Sequence, residues 1–234
     1  MQEHTTSKNY VIIPAFNEQN AVCNVLAEIP QGLVEEVIVV NNGSTDNTTE
    51  QALSCGATVL DEPRKGYGFA CLKGIDYLAN KAINDHDVVV FIDADHSDYP
   101  AEMPKLIDPL TSNSADLVIG SRALGKKEKG SMTPQQVIGN WLATFLLDLL
   151  YKVKFTDLGP FRAIKFGMLQ SINMVDTNYG WTVEMQLKAA KNGLRCVEVP
   201  VDYRRRIGKS KVSGTIKGTI LAGYKIIWTI FKYL

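Results

Sequence analysis

Short apolar runs alternate with segments of helical spacing through the first half of the chain. The apolar runs predict strands over residues 10–14, 36–40, 57–60, 88–92 and 117–120. The intervening segments predict helices over residues 20–29 and 66–80. A further helix is predicted to begin at the capped turn of residues 41–48 and to end near residue 54. This order predicts an α/β fold, with a mostly parallel central sheet flanked by helices.

The second half begins with a charged stretch, residues 126–132, and continues with apolar residues at helical spacing between Ile138 and Leu150. A helix is predicted over residues 180–192, a strand over 195–203 and an amphipathic helix over 216–234. We expect one domain over residues 9–215 and a C-terminal helix over 216–234. For this helix and that around 138–151, contact with a membrane, with a second copy and with the core are all open.

Composition narrows the class of protein. The chain has 234 residues, of which 45% are hydrophobic, and its 25 basic and 25 acidic residues give no net charge, so we expect no nucleic-acid partner. Four cysteines without a CxxC pair predict reduced thiols in a cytosolic protein. The first ten residues contain no apolar core and no run of about 18 apolar residues occurs, so we expect neither a signal peptide nor a spanning helix.

Polar side chains follow four of the predicted strands. They are Asn17 and Glu18, Asn41 and Asn42, Asp93 and Asp95, and Arg122. Ligands of parallel α/β sheets bind at the carboxyl ends of the strands, so this pattern predicts a ligand site at one edge of the sheet.

Asp93 and Asp95 stand directly after the apolar run 88–92. Carboxylates packed at the end of a buried strand repel one another unless a cation lies between them. Their hard oxygen ligands suit Mg²⁺ or Mn²⁺, with water and phosphate oxygens completing the shell. His96 and Asp98 either add ligands or support the two aspartates. The alternative is a solvated acidic turn that caps the helix after Pro100.

Five motifs occur in order along the chain. They are PAFNE at 14–18, VVNNGSTDNT at 39–48, DAD at 93–95, GSRALG at 120–125 and RIGKSK at 206–211. Together they resemble the motifs of family 2 glycosyltransferases with the GT-A nucleotide-sugar fold. Within that family, the chain is most similar to the dolichol- or polyprenol-phosphate sugar transferases. The resemblance spans about residues 9–215 and implies a nucleotide-sugar donor.

The resemblance implies a set of donor-binding residues. They are Pro14, Phe16, Glu18, Asn41, Asn42, Lys65, Gly66, Asp93, Ala94, Asp95, Arg122, Arg205, Ser210 and Lys211. The family usually has acids where Asn41 and Asn42 stand, which leaves the base, uracil or guanine, open. A tight turn also explains these asparagines. The glycines at 66 and 68 let the backbone approach a ligand beside a helix start.

Cations near the predicted site suit a diphosphate or a lipid phosphate. Arg122 follows a strand, and its guanidinium can hold a phosphate in a forked geometry; the alternative is a surface ion pair with Asp116. Arg205, Ser210 and Lys211 match the family's RxxGxSK pattern within the basic run that begins at Arg204. The alternative is a solvated basic loop that contacts lipid headgroups.

Two residues are candidates on the acceptor side. Arg162, in a segment that resembles the family's D…GFR motif, is a phosphate contact or an ion-pair partner of Asp157. Glu184 stands where many inverting relatives carry a catalytic base. It is the base if a sugar hydroxyl is the acceptor, and orients groups if the acceptor is a phosphate, which needs no strong base. An ordinary acid on a helix surface is the third interpretation.

These observations predict an inverting, metal-dependent hexosyltransferase of the cell envelope. We expect the sugar to pass from UDP-glucose or GDP-mannose to a polyprenyl phosphate, with Asp95, Arg122, Arg205, Lys211 and Glu184 as the catalytic candidates. Alternatives are a glycan hydroxyl as acceptor, a sugar nucleotidyltransferase and a non-catalytic binding protein. We expect a cytoplasmic protein that is peripheral on the inner face of the membrane, with a homodimer as a further alternative.

Overall fold

The computed structural model describes residues 7–208, Ser210 and residues 216–234. In this part of the chain, seven strands form one sheet in the order β3-β2-β1-β4-β6-β5-β7. The strands are β1 Asn9–Ala15, β2 Glu36–Asn41, β3 Thr58–Asp61, β4 Val88–Phe91, β5 Leu117–Ser121, β6 Arg162–Lys165 and β7 Cys196–Pro200. All pairings are parallel except those of β6, which runs antiparallel between β4 and β5.

Eight α-helices connect and cover the strands in the described residues. They are α1 Val22–Glu28, α2 Thr48–Ser54, α3 Tyr67–Asn80, α4 Met103–Thr111, α5 Pro134–Tyr151, α6 Phe166–Ser171, α7 Trp181–Lys191 and α8 Ile216–Lys232. The predicted α/β fold is confirmed, and every predicted strand and helix has a counterpart within a few residues. Strand β6 and helix α6 were not among the predicted elements.

The sheet is buried on both faces because helices cover each of them. Residues of α3, α5, α6 and α7 form one apolar cluster with one face of the sheet. Residues of α1 and α4 form a second cluster with the opposite face. Strand β4 shows the result, since Val88, Val89, Val90 and Phe91 are all buried. The sheet is thereby fixed between two layers, and its strand ends are held as one rigid edge.

The prediction of four reduced thiols is wrong for two of them. Cys23, at the start of α1, and Cys55, at the end of α2, form a disulfide with their Cα atoms 5.8 Å apart. The two residues are 32 positions apart in the sequence, so the spacing alone did not show that α1 and α2 lie side by side. Cys71 is buried and Cys196 half-buried, both as free thiols, and burial raises the pKa of Cys196 to about 11.

Helix α8 packs against α5 and α7. Its C-terminal end is anchored where the hydroxyl of Tyr151 donates to the carbonyl of Ile230 and Lys191 donates to the carbonyl of Tyr233. None of the helices in the described residues has the length and the apolar character needed to cross a membrane.

Candidate active site

The predicted strand ends meet around two adjoining cavities. The first, about 340 Å³, lies over the ends of β1, β2 and β4. Ten of the predicted donor-binding residues line it: Pro14, Phe16, Glu18, Asn42, Lys65, Gly66, Asp93, Ala94, Asp95 and Ser210. The second cavity, about 350 Å³, lies between β4, α5, α7 and α8. Asp93 and Asp95 line both cavities, so the two cavities adjoin at these aspartates.

The two aspartates differ in their surroundings. Oδ1 of Asp93 is buried without a hydrogen-bond donor among the described residues. Burial, together with the charge of Asp95, raises the pKa of Asp93 to about 7. Asp95 accepts a 2.9 Å hydrogen bond from the backbone N–H of Ser97. An unsatisfied buried carboxylate oxygen beside a second carboxylate fits a divalent cation.

The chain would supply two carboxylates to such an ion rather than a complete shell. Within the described ranges, no group of three acidic, histidine or cysteine side chains is placed to hold a metal. His96 adopts a left-handed backbone conformation (φ 64°) and places Nε2 2.9 Å from Glu28. Asp98 is 1% exposed, and neither of its carboxylate oxygens accepts a hydrogen bond from a described residue. Neither residue joins Asp93 and Asp95 as a third ligand.

Among the described residues, Arg206 brings a positive charge to Asp95. Its Nη1 lies 3.0 Å from Asp95, and its Nη2 lies 2.6 Å from Glu18 across the first cavity. The RxxGxSK pattern predicted Arg205 at this place instead. Arg205 is exposed and donates from Nε to the carbonyl of Lys129, outside both cavities. Lys211 lies outside the described residues.

Asn41 and Asn42 hold loops together at the end of β2. Asn42 is buried, donates to the carbonyls of Glu62 and Arg64, and accepts from the N–H of Gly66. Both donors of this amide are therefore used within the chain. Asn41 donates to Asp61 at the end of β3 and does not line the first cavity. The turn and the ligand interpretations coexist at Asn42, whereas Asn41 fits the turn alone.

The two glycines at the start of α3 have a packing role that was not predicted. A Cβ atom at Gly66 would overlap the carbonyl oxygen of Thr177, and one at Gly68 would overlap that of Asp176. The N–H of Phe69 also donates to Thr177, at 3.1 Å. The glycines thus allow α3 to contact the 176–178 segment. Lys65 points over the ring of Phe16, 5.7 Å from its centroid, at the cavity wall.

Arg122 lines the second cavity, but its guanidinium is already paired with a carboxylate of the chain. Nε and Nη2 each donate to a carboxylate oxygen of Asp157 at 2.7 Å. Burial by itself would lower the pKa of Arg122, but the adjacent carboxylate of Asp157 raises it above its ordinary value. The suggested ion pair with Asp116 is wrong, because Asp116 pairs with Arg195 at 2.7 Å. The Arg122 guanidinium also lies 5.1 Å from the ring of Tyr203.

The structure places both acceptor-side candidates in the core. Arg162 is fully buried and donates to the carbonyls of Leu158, Gly159 and Thr182, which makes both predicted contacts, a phosphate and Asp157, wrong. Burial lowers its pKa to about 10. Glu184 is also fully buried, so it is not a surface acid, and it lines neither cavity.

Glu184 instead fixes the segment that separates α6 from α7. It accepts a 2.7 Å hydrogen bond from the N–H of Asp176 and a weaker one from that of Val175. Lys188 lies 2.9 Å from it, and the hydroxyl of Tyr233 donates to it. Its carboxylate oxygens are satisfied by these groups, which is the arrangement of a structural acid.

Helices α5 and α8 line the second cavity with small, apolar and amide side chains. Helix α5 contributes Gln135, Gln136, Gly139 and Asn140, and helix α8 contributes Thr219, Ala222, Gly223 and Ile226. Among the described residues that line it, the acids are Asp93 and Asp95 alone.

Large apolar side chains are exposed on the same two helices. On α5 they include Trp141 and Phe145, whose rings stack at 5.8 Å, and on α8 Tyr224 and Trp228, which stack at 6.5 Å. The two tryptophans are 63% and 52% exposed. We call the exposed apolar side chains of α5 and α8 the aromatic face.

Comparison with known proteins decides the family. The family model described as "Glycosyl transferase family 2" matches residues 10–172, which include the ends of β1, β2, β4 and β5. The chain belongs to glycosyl transferase family 2. This confirms the predicted family and the class of enzyme, a hexosyltransferase, and it removes the nucleotidyltransferase and the non-catalytic binding protein as alternatives.

Several relatives of this family 2 glycosyltransferase carry functional names. An undecaprenyl-phosphate mannosyltransferase of Micrococcus luteus is 32% identical over 88% of this chain and 88% of its own. A dolichyl-phosphate hexose transferase of Haloferax volcanii is 32% identical over 91% of this chain and 90% of its own. An uncharacterized glycosyltransferase of Mycobacterium tuberculosis is 36% identical over 91% and 93%.

Solved structures share the fold. A glucosyl-3-phosphoglycerate synthase from Mycobacterium tuberculosis, solved with Mn²⁺, uridine diphosphate and phosphoglyceric acid, superposes with a TM-score of 0.77. It is 23% identical, and the match covers 97% of this chain and 78% of that one. The predicted GT-A fold is thereby confirmed for this family 2 glycosyltransferase.

Proposed function

We propose that this family 2 glycosyltransferase transfers a hexose from UDP-glucose or GDP-mannose to a polyprenyl phosphate. The observation that carries the proposal is the pair of cavities that meet at Asp93 and Asp95. A donor in the first cavity and an acceptor in the second place the reacting groups at their junction. The names of the 32%-identical relatives, which act on undecaprenyl and dolichyl phosphates, support the acceptor.

The acceptor cavity also supports a phosphate nucleophile over a sugar hydroxyl. A hydroxyl must lose a proton as it attacks, so it needs a base within hydrogen-bond reach. Apart from the two aspartates assigned to the metal, no carboxylate or histidine lines this cavity in the described part of the chain. A phosphate oxygen is already ionised and attacks without a base. Glu184, buried beneath the 175–176 segment, then serves the fold rather than the reaction.

The chemistry is a single displacement. A phosphate oxygen of the acceptor forms a bond to the anomeric carbon, and the bond from that carbon to the donor's diphosphate breaks. The electron pair of the broken bond leaves with the nucleoside diphosphate, and the anomeric configuration inverts. Asp93 and Asp95 would hold the Mg²⁺ or Mn²⁺, which neutralises charge that develops on the leaving diphosphate.

We also propose that the protein works at a membrane surface, on the cytoplasmic face. A polyprenyl phosphate keeps its chain in the bilayer, so the enzyme must bring its acceptor cavity to the headgroups. Helices α5 and α8 line that cavity and also carry the aromatic face. Exposed tryptophan and tyrosine side chains are favoured at the membrane interface. In this proposal, residues 9–215 form the catalytic domain and helix α8 is the membrane-contacting element.

A transfer assay tests the proposal. The protein is incubated with Mn²⁺, a polyprenyl phosphate and labelled UDP-glucose or GDP-mannose, and the label extracted into organic solvent is measured. We expect extraction with one of the donors, and a loss of at least about 100-fold for Asp95→Asn. Label that stays in the aqueous phase with both donors contradicts the proposal. In a parallel incubation with a glycan in place of the lipid, label on the glycan would support the hydroxyl acceptor.

A further inference from the structure

Arg206 occupies the place where the donor site is most acidic. Its guanidinium bridges Asp95 and Glu18, at 3.0 Å and 2.6 Å. Its side chain is 26% exposed, and its Nε is buried without a hydrogen-bond acceptor among the described residues. Asp93 lies on the same wall of the cavity. Burial raises the pKa of Asp93, and the charge of Arg206 offsets part of that effect. Among the described residues, Arg206 is thus a cation whose one side chain pairs with both Asp95 and Glu18.

The backbone on either side of Arg206 is fixed to the metal-binding loop. The N–H of Ile207 donates to the carbonyl of Asp95 at 2.9 Å, and the N–H of Arg204 donates to that of Ser97 at 2.9 Å. These bonds keep the Cα of Arg206 beside the site. A change of partner by Arg206 therefore requires only that its side chain change rotamer.

A divalent cation and this guanidinium compete for one carboxylate. A metal ion bound through Asp95 would bring two positive charges close to the Nη1 atom of Arg206, where partial burial strengthens their repulsion. A donor diphosphate removes the conflict. Its oxygens offer the planar fork of Arg206 a new partner at the place where the metal needs Asp95.

Resting on the function proposed above, we propose that Arg206 is a resident counter-ion that exchanges partners when the donor binds. In the empty site it neutralises Asp95 and Glu18. In the loaded site it leaves Asp95 to the metal and binds the diphosphate. Metal alone then binds weakly, because it must displace Arg206, whereas metal and nucleotide strengthen each other's binding. This coupling keeps the site from retaining metal without a donor.

The test measures Mn²⁺ binding without any sugar transfer. The free Mn²⁺ signal in electron paramagnetic resonance is titrated with the full chain, first alone and then with UDP or GDP. Arg206→Gln should bind Mn²⁺ about fivefold more tightly than the wild type without nucleotide, since the competitor is gone. The same variant should bind the nucleotide with Mn²⁺ about fivefold or more weakly.

Two further variants serve as controls. Arg195→Gln removes the same charge at the opposite end of the sheet, where Arg195 pairs with Asp116, and should leave Mn²⁺ binding unchanged. Arg206→Lys keeps the charge but has no fork to span Glu18 and Asp95, so it should bind Mn²⁺ with intermediate affinity. If circular dichroism shows that Arg206→Gln is unfolded, Arg206→Lys carries the test in the same direction.

The outcomes separate this inference from the proposed function. If the wild type binds Mn²⁺ with a nucleotide, but Arg206→Gln binds Mn²⁺ alone no more tightly, Arg206 is a fixed structural partner and the inference is overturned. If the wild type binds no Mn²⁺ with either nucleotide, the proposed function fails first. Tighter Mn²⁺ binding together with weaker nucleotide binding in Arg206→Gln supports the exchange.

Discussion

At the scale of single residues, the site is governed by which charges have partners. Asp157 and Arg122 satisfy one another in a buried fork, so neither charge is free to change partner without cost. Asp93 has an unsatisfied oxygen and a pKa raised by burial and by Asp95. Asp93 and Asp95 are therefore the candidates for holding a cation, whereas Arg122, held in place by Asp157, is a fixed part of the wall of the second cavity.

Glu184 gives a prediction that separates a structural acid from a base. Glu184→Gln removes the charge opposite Lys188 and places an NH₂ group among the donors that Glu184 now accepts from. We expect the unfolding free energy to fall by about 1–3 kcal/mol, measured by urea denaturation. The pH dependence of kcat should keep its shape.

The opposite result would restore Glu184 as the base. That result is a fall in kcat of about 100-fold or more with an unchanged urea midpoint, because a base contributes on that order to the rate. Lys188→Met tests the same ion pair from its other side. It should destabilise the protein, since a buried carboxylate loses its partner, and leave the rate unchanged.

Sequence patterns predicted which loops form the site better than which side chains point into it. Glu18, Asp93 and Asp95 were predicted because each stands after a strand, and the strand ends share an edge. Pro14 and Phe16 were predicted from the family resemblance. Arg206 was missed because neighbouring residues in an extended loop face opposite ways, and a shared pattern cannot say which of two adjacent arginines faces the cavity. The surroundings of Glu184 include Tyr233, directly after α8, whose hydroxyl donates to it from 49 positions away in the sequence.

At the scale of elements, the 175–180 segment links helices α3 and α8 to the first cavity. It packs on α3 through Gly66 and Gly68, and Lys225 of α8 lies 3.0 Å from Asp176. Asn178 and Tyr179, at its centre, line both cavities. The segment is therefore a shared wall whose position depends on tight packing at the start of α3.

Gly68→Ala tests this packing. The added Cβ meets the backbone of Asp176 and Thr177, which has no side-chain freedom with which to move away. We expect a loss of about 1–3 kcal/mol in unfolding free energy, measured by denaturant titration. Gly139→Ala, within α5, is the matched control, because nothing lies within 4 Å of its added Cβ. It should be neutral or slightly stabilising. Equal effects of the two substitutions would contradict this role for Gly68.

Strand β6 shows the limit of element prediction. Arg-Ala-Ile-Lys is short, begins and ends with a basic residue, and still has all four residues buried. Arg162 is buried there because the carbonyls of Leu158, Gly159 and Thr182 surround its guanidinium. The alternation of apolar and polar residues does not predict such a strand, because tertiary hydrogen bonds stabilise its buried position in the sheet.

At the scale of the whole molecule, the two cavities lie at one edge of the sheet. Helices α5 and α8, which carry the aromatic face, also line the second cavity. The order of strands and helices was sufficient to predict the first cavity, because parallel strands align their carboxyl ends. The second cavity was not predictable, since it depends on the packing of α8 against α5 and α7.

The aromatic face yields a prediction for membrane binding. The wild type should sediment with anionic vesicles, and Trp141→Ser combined with Trp228→Ser should weaken the partition coefficient about tenfold, because two exposed rings no longer enter the interface. Leu53→Ser, an equally exposed apolar residue on α2, is the control and should bind as the wild type does. Absence of sedimentation, with a dimer by analytical ultracentrifugation, would assign the aromatic face to a second copy.

The central claim is that Asp93 and Asp95 bind a divalent cation that holds the donor's diphosphate. Anomalous diffraction from a crystal grown with Mn²⁺ and UDP or GDP tests it most directly. The account predicts a manganese peak about 2.0–2.3 Å from carboxylate oxygens of both aspartates, with the diphosphate on its other side. A nucleotide bound in the first cavity with no manganese peak at Asp93 and Asp95 would contradict it.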